Sequence, residues 1–177
     1  MKIKNIYVVQ AGFIAALYFV LTLISNAMGL AFGPIQVRLS EILCILPVFT
    51  PAAIPGLAMG CAISNLASPY GIADILIGTF ATLLAAVLTR VLRNVKVKGY
   101  PLISSLMPVI CNAVIIGAEL TFFLADGKSA KITTFLLTAL EVGIGELISV
   151  VIIGLMVFYK VLSKPNISKI FEPLTDS

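Results

Sequence analysis

The chain has 177 residues, 60% of them hydrophobic and 11% charged, with a net charge of +4 and a mean hydropathy of +1.12. A soluble domain carries about 25% charged residues, and a soluble fold of this size has too little interior to hide so much apolar surface. Composition therefore excludes a water-soluble domain and points to a single integral membrane domain. The absence of His removes the commonest metal ligand and the commonest general base.

Polar and Gly/Pro breaks divide the chain into six predicted spans, at about 6–26, 37–50, 52–67, 72–92, 102–125 and 133–160. A span takes about 20 apolar residues, fewer where protein covers the backbone. The first follows a basic head, MKIK. Its apolar run exceeds the about 7–15 residues of a signal core and lacks a clear cleavage site, so it reads as a retained helix. It carries two small-xxx-small pairs, Ala11 with Ala15 and Gly12 with Ala16, a spacing that lets another helix approach closely. The second span opens on two charges, Arg38 and Glu41. It and the third are short and hold Pro47, Pro51 and Pro55, so both are expected to be kinked or partly shielded from lipid. The fourth begins at Asp74, the fifth carries Asn112 and Glu119, and the sixth carries Glu141 and Glu146. Residues 163–177 read as a polar, frayed cytoplasmic tail. Cys44, Cys61 and Cys111 stand in separate apolar stretches without metal-ligand spacing and read as small hydrophobes.

Orientation follows from Lys and Arg. With six spans, Lys2, Lys4, Arg90, Arg93, Lys96, Lys98, Lys160, Lys164 and Lys169 share one side, and Arg38, Lys128 and Lys131 share the other. Nine against three places both termini in the cytoplasm. The loops at 27–37, 67–73 and 126–132 then face outside. No GxxxxGK[ST] phosphate loop is present, so the chain does not hydrolyse nucleotide by that route.

Chemistry is expected at the charges within the spans. A carboxylate at a helix centre costs roughly 2.5–3.5 kcal/mol, so each of the five needs a partner or a wet cavity. On this topology Glu41 and Asp74 begin their helices at the outer end. Glu119 lies six residues in from that end, about 9 Å deep. Glu141 is similarly deep, and Glu146 and Asn112 are nearer the midplane. Charge confined to the outer half argues against a continuous proton path and suits a pocket open outward and closed below. Two simpler readings stand beside this one. Arg38 and Glu41, at i and i+3, pair with each other, and Asp74 answers the dipole at its helix start. Glu141 and Glu146 are about 140° apart around the helix, so only one faces a common centre, and depth favours Glu146.

Several carboxylates, one guanidinium and one amide suit a polar ligand that brings N–H donors or positive charge. A guanine-like edge is such a ligand, and Phe32, Tyr70, Phe122 and Phe123 at the outer level are available to stack on it. A cationic vitamin fits the same composition.

The runs VRLSEILCILPVFTPAAIPGLAMGCAISNL, GIADILIGTFATLLAAVLT, NAVIIGAEL and EVGIGELISV, in this order over residues 7–160, resemble the QueT family. These are similar to substrate-binding S components of energy-coupling factor (ECF) transporters. The resemblance implies an all-α bundle of six transmembrane helices in the cell membrane with an outward-facing pocket. It implies capture of a deazapurine queuosine precursor (queuine, queuosine or the aminomethyl-deazaguanine precursor) by loops and outer helix halves, and the candidates that charge, depth and ring placement put there are Arg38, Glu41, Tyr70, Asp74, Asn112, Glu119, Glu141 and Glu146. It further implies docking onto a membrane scaffold subunit through Ala11 and Ala15, two cytoplasmic ATPases acting through that scaffold, and no cofactor, metal, nucleic acid or enzymatic activity. The alternatives are an S component for another small vitamin, an intramembrane enzyme built on a carboxylate pair, and a scaffold without ligand.

Overall fold

The computed structural model describes residues 3–31, 36–123 and 131–168. Phe32, Asp126, Lys128, Lys169 and the rest of the tail lie outside them. Seven helices follow in chain order: α1 Ile3–Ala27, α2 Leu39–Val48, α3 Ala53–Ala67, α4 Ile72–Val91, α5 Leu102–Phe123, α6 Ile132–Leu162 and α7 Pro165–Ser168. The first six fall in the six ranges predicted as spans. Four of them, α1, α4, α5 and α6, are long and apolar enough to cross a membrane, and α2 and α3 are not. The start of the tail is a helical turn rather than frayed chain. Pro165 opens it, where a missing N–H costs nothing.

The long helices present apolar side chains outward, among them Val8 and Phe13 on α1, Leu76 and Phe80 on α4, and Leu136 and Leu140 on α6. Their inward faces pack in series: α1 on α3, α3 on α4, α4 on α5, α5 on α6. The remaining short helix, α2, touches α1, α3, α4, α5 and the second half of α6. It is the axis of the bundle, and most of its residues are buried. α2 is wound as a 3-10 helix, which carries its ten residues over about 20 Å instead of the about 15 Å of an α-helix. Leu43, Ile45 and Leu46 on α2 meet Ile14 and Tyr18 of α1, Leu57 of α3 and Val150 and Leu155 of α6 in one core.

Glycine sets the closest of these approaches. Gly56 and Gly60, a GxxxG pair on α3, lie against α1. A Cβ at Gly56 would stand 2.8 Å from the Ala11 carbonyl oxygen, and one at Gly60 would stand 2.7 Å from Cβ of Tyr18 and 3.0 Å from the Ala15 carbonyl oxygen. Ala11 and Ala15 are accordingly buried within the chain. The face of α1 expected to dock a scaffold is occupied by α3. The other small pair, Gly12 and Ala16, is exposed, and no neighbour lies within 4 Å of a Cβ built on Gly12.

At the far end of α2, Arg90 of α4 donates from Nη1 to the carbonyls of Pro47 and Val48, at 3.1 and 3.3 Å. These are terminal carbonyls that the helix cannot satisfy itself, at the negative end of its dipole. Arg90→Ala is expected to lower stability by about 1 kcal/mol, read as a fall in the melting temperature of the detergent-solubilised protein. α4 then joins α5 through a tight hairpin in which Val97 and Tyr100 exchange backbone hydrogen bonds across Lys98 and Gly99, both at positive φ.

Candidate binding site

The site forms where α2 begins. Three polar side chains on α1, Tyr18, Thr22 and Ser25, recur at i, i+4 and i+7 and so share one face. Ser25 Oγ accepts the Leu39 N–H at 2.8 Å, and the hydroxyls of Thr22 and Ser40 are 2.9 Å apart. The Tyr18 hydroxyl donates to Glu41 Oε1, and the Cys44 thiol donates to Glu41 Oε2 at 3.0 Å. A stripe on α1 thereby holds the first turn of α2 and supplies Glu41 with one donor, Tyr18, while Cys44 of α2 supplies the other.

Arg38 donates from Nε to the Ala31 carbonyl at 3.0 Å and from Nη1 to Asn65 Oδ1 at 3.4 Å. Asn65, at the end of α3, donates in turn to the Asp74 carbonyl at 2.8 Å. Arg38 and Glu41 thus each have partners apart from one another, and Glu41 is only 3% exposed.

Their depth departs from the expectation that Glu41 begins its helix at the outer end. The backbone carbonyl of Gln36 presses directly on Gly145, so closely that a Cβ there has no room. Gly145 lies 13 residues into α6, about 20 Å along it. The chain between α1 and α2 therefore dips into the bundle before α2 starts. Arg38 and Glu41 stand at the level of Glu146, not above it.

A narrow cleft opens there, with about 20 Å³ of free space inside and about 320 Å³ when the solvent at its mouth is counted. Gln36, Arg38 and Glu41 line it from the centre, Cys61, Gly78 and Thr82 from α3 and α4, and Asn112, Ile116, Val142 and Glu146 from α5 and α6. Asn112 Nδ2 donates to Glu146 Oε1 at 2.6 Å. That bond fixes both side chains. It leaves Glu146 Oε2 and Asn112 Oδ1 buried and without partners among the described residues. Two acceptors held together in this way fit a ligand with neighbouring N–H donors.

Four of the eight residues expected to bind solute, Arg38, Glu41, Asn112 and Glu146, meet in the cleft. Asp74 and Glu119 are buried one turn beyond it. Glu141 is half-buried and does not line it, as the angle between Glu141 and Glu146 requires. Tyr70 is half-buried outside it, its N–H on Ser68 Oγ at 3.2 Å. Phe122 and Phe123 face outward, and Phe122 stacks on Phe135 with ring centroids 5.8 Å apart, so neither offers its face to the cleft.

Residues the charges did not signal complete the site: Tyr18, Gln36, Asn65 and Thr82. Two of the thiols are more than small hydrophobes. Cys44 donates to Glu41, and Cys61 accepts from Thr82 Oγ1 at 3.3 Å. The polar spacing 18, 22, 25 on an apolar helix was the available sign of the α1 stripe.

A family model described as QueT transporter matches residues 8–164. Over 82 residues the chain is 35% identical to a protein of Lactococcus lactis subsp. cremoris (strain MG1363) named queuosine precursor transporter QueT. That match covers 46% of this chain and 48% of the relative, so the chain spans about half the length of the relative it matches. No solved structure matches it.

Proposed function

Because the chain belongs to the QueT transporter family, we propose that it is the solute-capturing subunit of an energy-coupling-factor-type transporter and that its solute is a queuosine precursor with a deazaguanine base. The observation that carries the reading is the pair of free acceptors, Glu146 Oε2 and Asn112 Oδ1, fixed by one hydrogen bond inside the cleft. A deazaguanine edge presents adjacent N–H groups to exactly such a pair. The name of the Lactococcus relative supports the choice of base.

In this reading the protein lies in the cell membrane with both termini in the cytoplasm. It captures solute outside and passes it inward with a scaffold subunit and two ATPases. A transporter family is not an enzyme class, and Arg38, Glu41, Asn112 and Glu146 bind rather than react. The test is a mass spectrum of the small molecule that co-purifies with the chain. A deazapurine is expected, and an unrelated vitamin in its place overturns the choice of base.

Since α3 covers Ala11 and Ala15, the scaffold is assigned instead to the exposed Gly12 and Ala16 of α1. Gly12→Leu with Ala16→Leu is expected to reduce uptake in cells at least about tenfold through lost close packing, with solute binding to the purified chain retained. Uptake at the wild-type rate would remove this face from the docking surface.

A further inference from the structure

The cleft does not end the polar interior. On α4, Asp74, Gly78 and Thr82 follow at intervals of four and share a face, and Gly78 and Thr82 line the cleft. On α5, Asn112, Ile116 and Glu119, at intervals of four and three, also share a face, and Asn112 and Ile116 line it. α4 and α5 pack together. Asp74 and Glu119 therefore occupy the next turn of two adjacent cleft-lining faces. Within α4 the Asp74 side chain lies toward the cleft-lining Gly78, its Oδ1 3.4 Å from where a Cβ there would be.

Both acids are hidden, Asp74 at 3% and Glu119 at 1% exposure. Asp74 Oδ2 and both Glu119 oxygens lack hydrogen-bond partners among the described residues. The charges that act on Glu119 are Asp74 and Arg38, and Arg38 donates to Ala31 and Asn65. Two carboxylates so placed call for a further positive charge. An alkylammonium brings one charge and up to three N–H donors, matching the three open acceptor atoms.

We infer that Asp74 and Glu119 form a cation subsite at the end of the cleft, which takes a protonated amine on the solute's side arm while Glu146 and Asn112 take the edge of its base. This assignment rests on the deazaguanine reading and narrows it to bases with a charged arm.

Two probes decide the matter on the purified full chain, both built on the same deazaguanine base. One carries an aminomethyl arm, charged at neutral pH, and the other carries a neutral nitrile at the same position. The wild-type chain is expected to bind the charged probe at least about tenfold more tightly, the scale of a charge-assisted hydrogen bond in a buried site. In the Asp74→Asn, Glu119→Gln double variant the ratio of the two affinities is expected to fall to about one. The near-isosteric Glu119→Gln alone gives the same ratio test should the double variant not fold. Equal affinities in the wild-type chain, or a wild-type ratio in the variants, overturn the subsite and leave the deazaguanine reading standing. If neither probe binds the wild-type chain, the deazaguanine reading falls and takes the subsite with it.

Discussion

Replacing Glu146 with Gln is expected to lower affinity for the proposed solute by about a hundredfold, measured by titration calorimetry on the purified chain with a deazaguanine base. The carboxylate accepts the Asn112 amide through Oε1, and Oε2, buried without a partner among the described residues, is the acceptor proposed for the ligand. An amide in its place keeps one acceptor and turns the other into a donor, which then meets a donor on Asn112 or on the solute. Removing one member of a buried, charged hydrogen-bonded pair costs about 2–5 kcal/mol, and a hundredfold corresponds to about 2.7 kcal/mol. Affinity within about threefold of wild type would take Glu146 out of the site. Melting temperature should change little, because Gln preserves the volume and one hydrogen bond to Asn112.

The largest effect on folding is expected from Gly60→Leu. The side chain would enter at 2.7 Å from Cβ of Tyr18 and 3.0 Å from a backbone carbonyl of α1, neither of which is a flexible chain end. Overpacking costs about 1–3 kcal/mol where side chains yield, and here the backbone must move, so about 3 kcal/mol or more is expected. That corresponds to a fall of about 10 °C in melting temperature for a chain this long. Tyr18 would shift with α1, so solute binding should weaken through Glu41. Gly12→Leu is the control, since the space beside Gly12 is open. Equal melting temperatures for the two variants would refute the α1–α3 contact.

The contrast between these two glycines marks what was legible in the sequence. Apolar runs broken by Gly, Pro and charge located all six helical segments within a few residues, because hydropathy reports directly on where a backbone must satisfy itself. Pro47, Pro51 and Pro55 gave notice that α2 and α3 differ from the rest. Facing was harder. Ala11/Ala15 and Gly12/Ala16 have the same spacing, and only the position of Gly56 and Gly60 on a neighbouring helix decides which pair is covered. At the site, scarce charges pointed to Arg38, Glu41 and Glu146, but equally to Asp74, Glu119 and Glu141, which do not line the cleft. The common depth of the first three was not legible, because it depends on the chain dipping at Gln36 to meet Gly145, a contact across more than a hundred residues. Tyr18 and Thr22 were hard to read because hydroxyls barely change a hydropathy profile, and Asn65 because it stands at a helix end, where a polar residue is ordinary.

The position of α2 also fixes an order of assembly. It is ten residues long, about 20 Å, too short for a hydrocarbon core of about 30 Å. Its walls include α5 and α6, which are synthesised after it. During biogenesis this segment leaves the ribosome before its environment exists. Its seat at the centre is expected to be complete only once the last long helix is in place. Truncation before α6 should thus leave a chain whose outer helices lie in the bilayer and whose middle has nowhere to go.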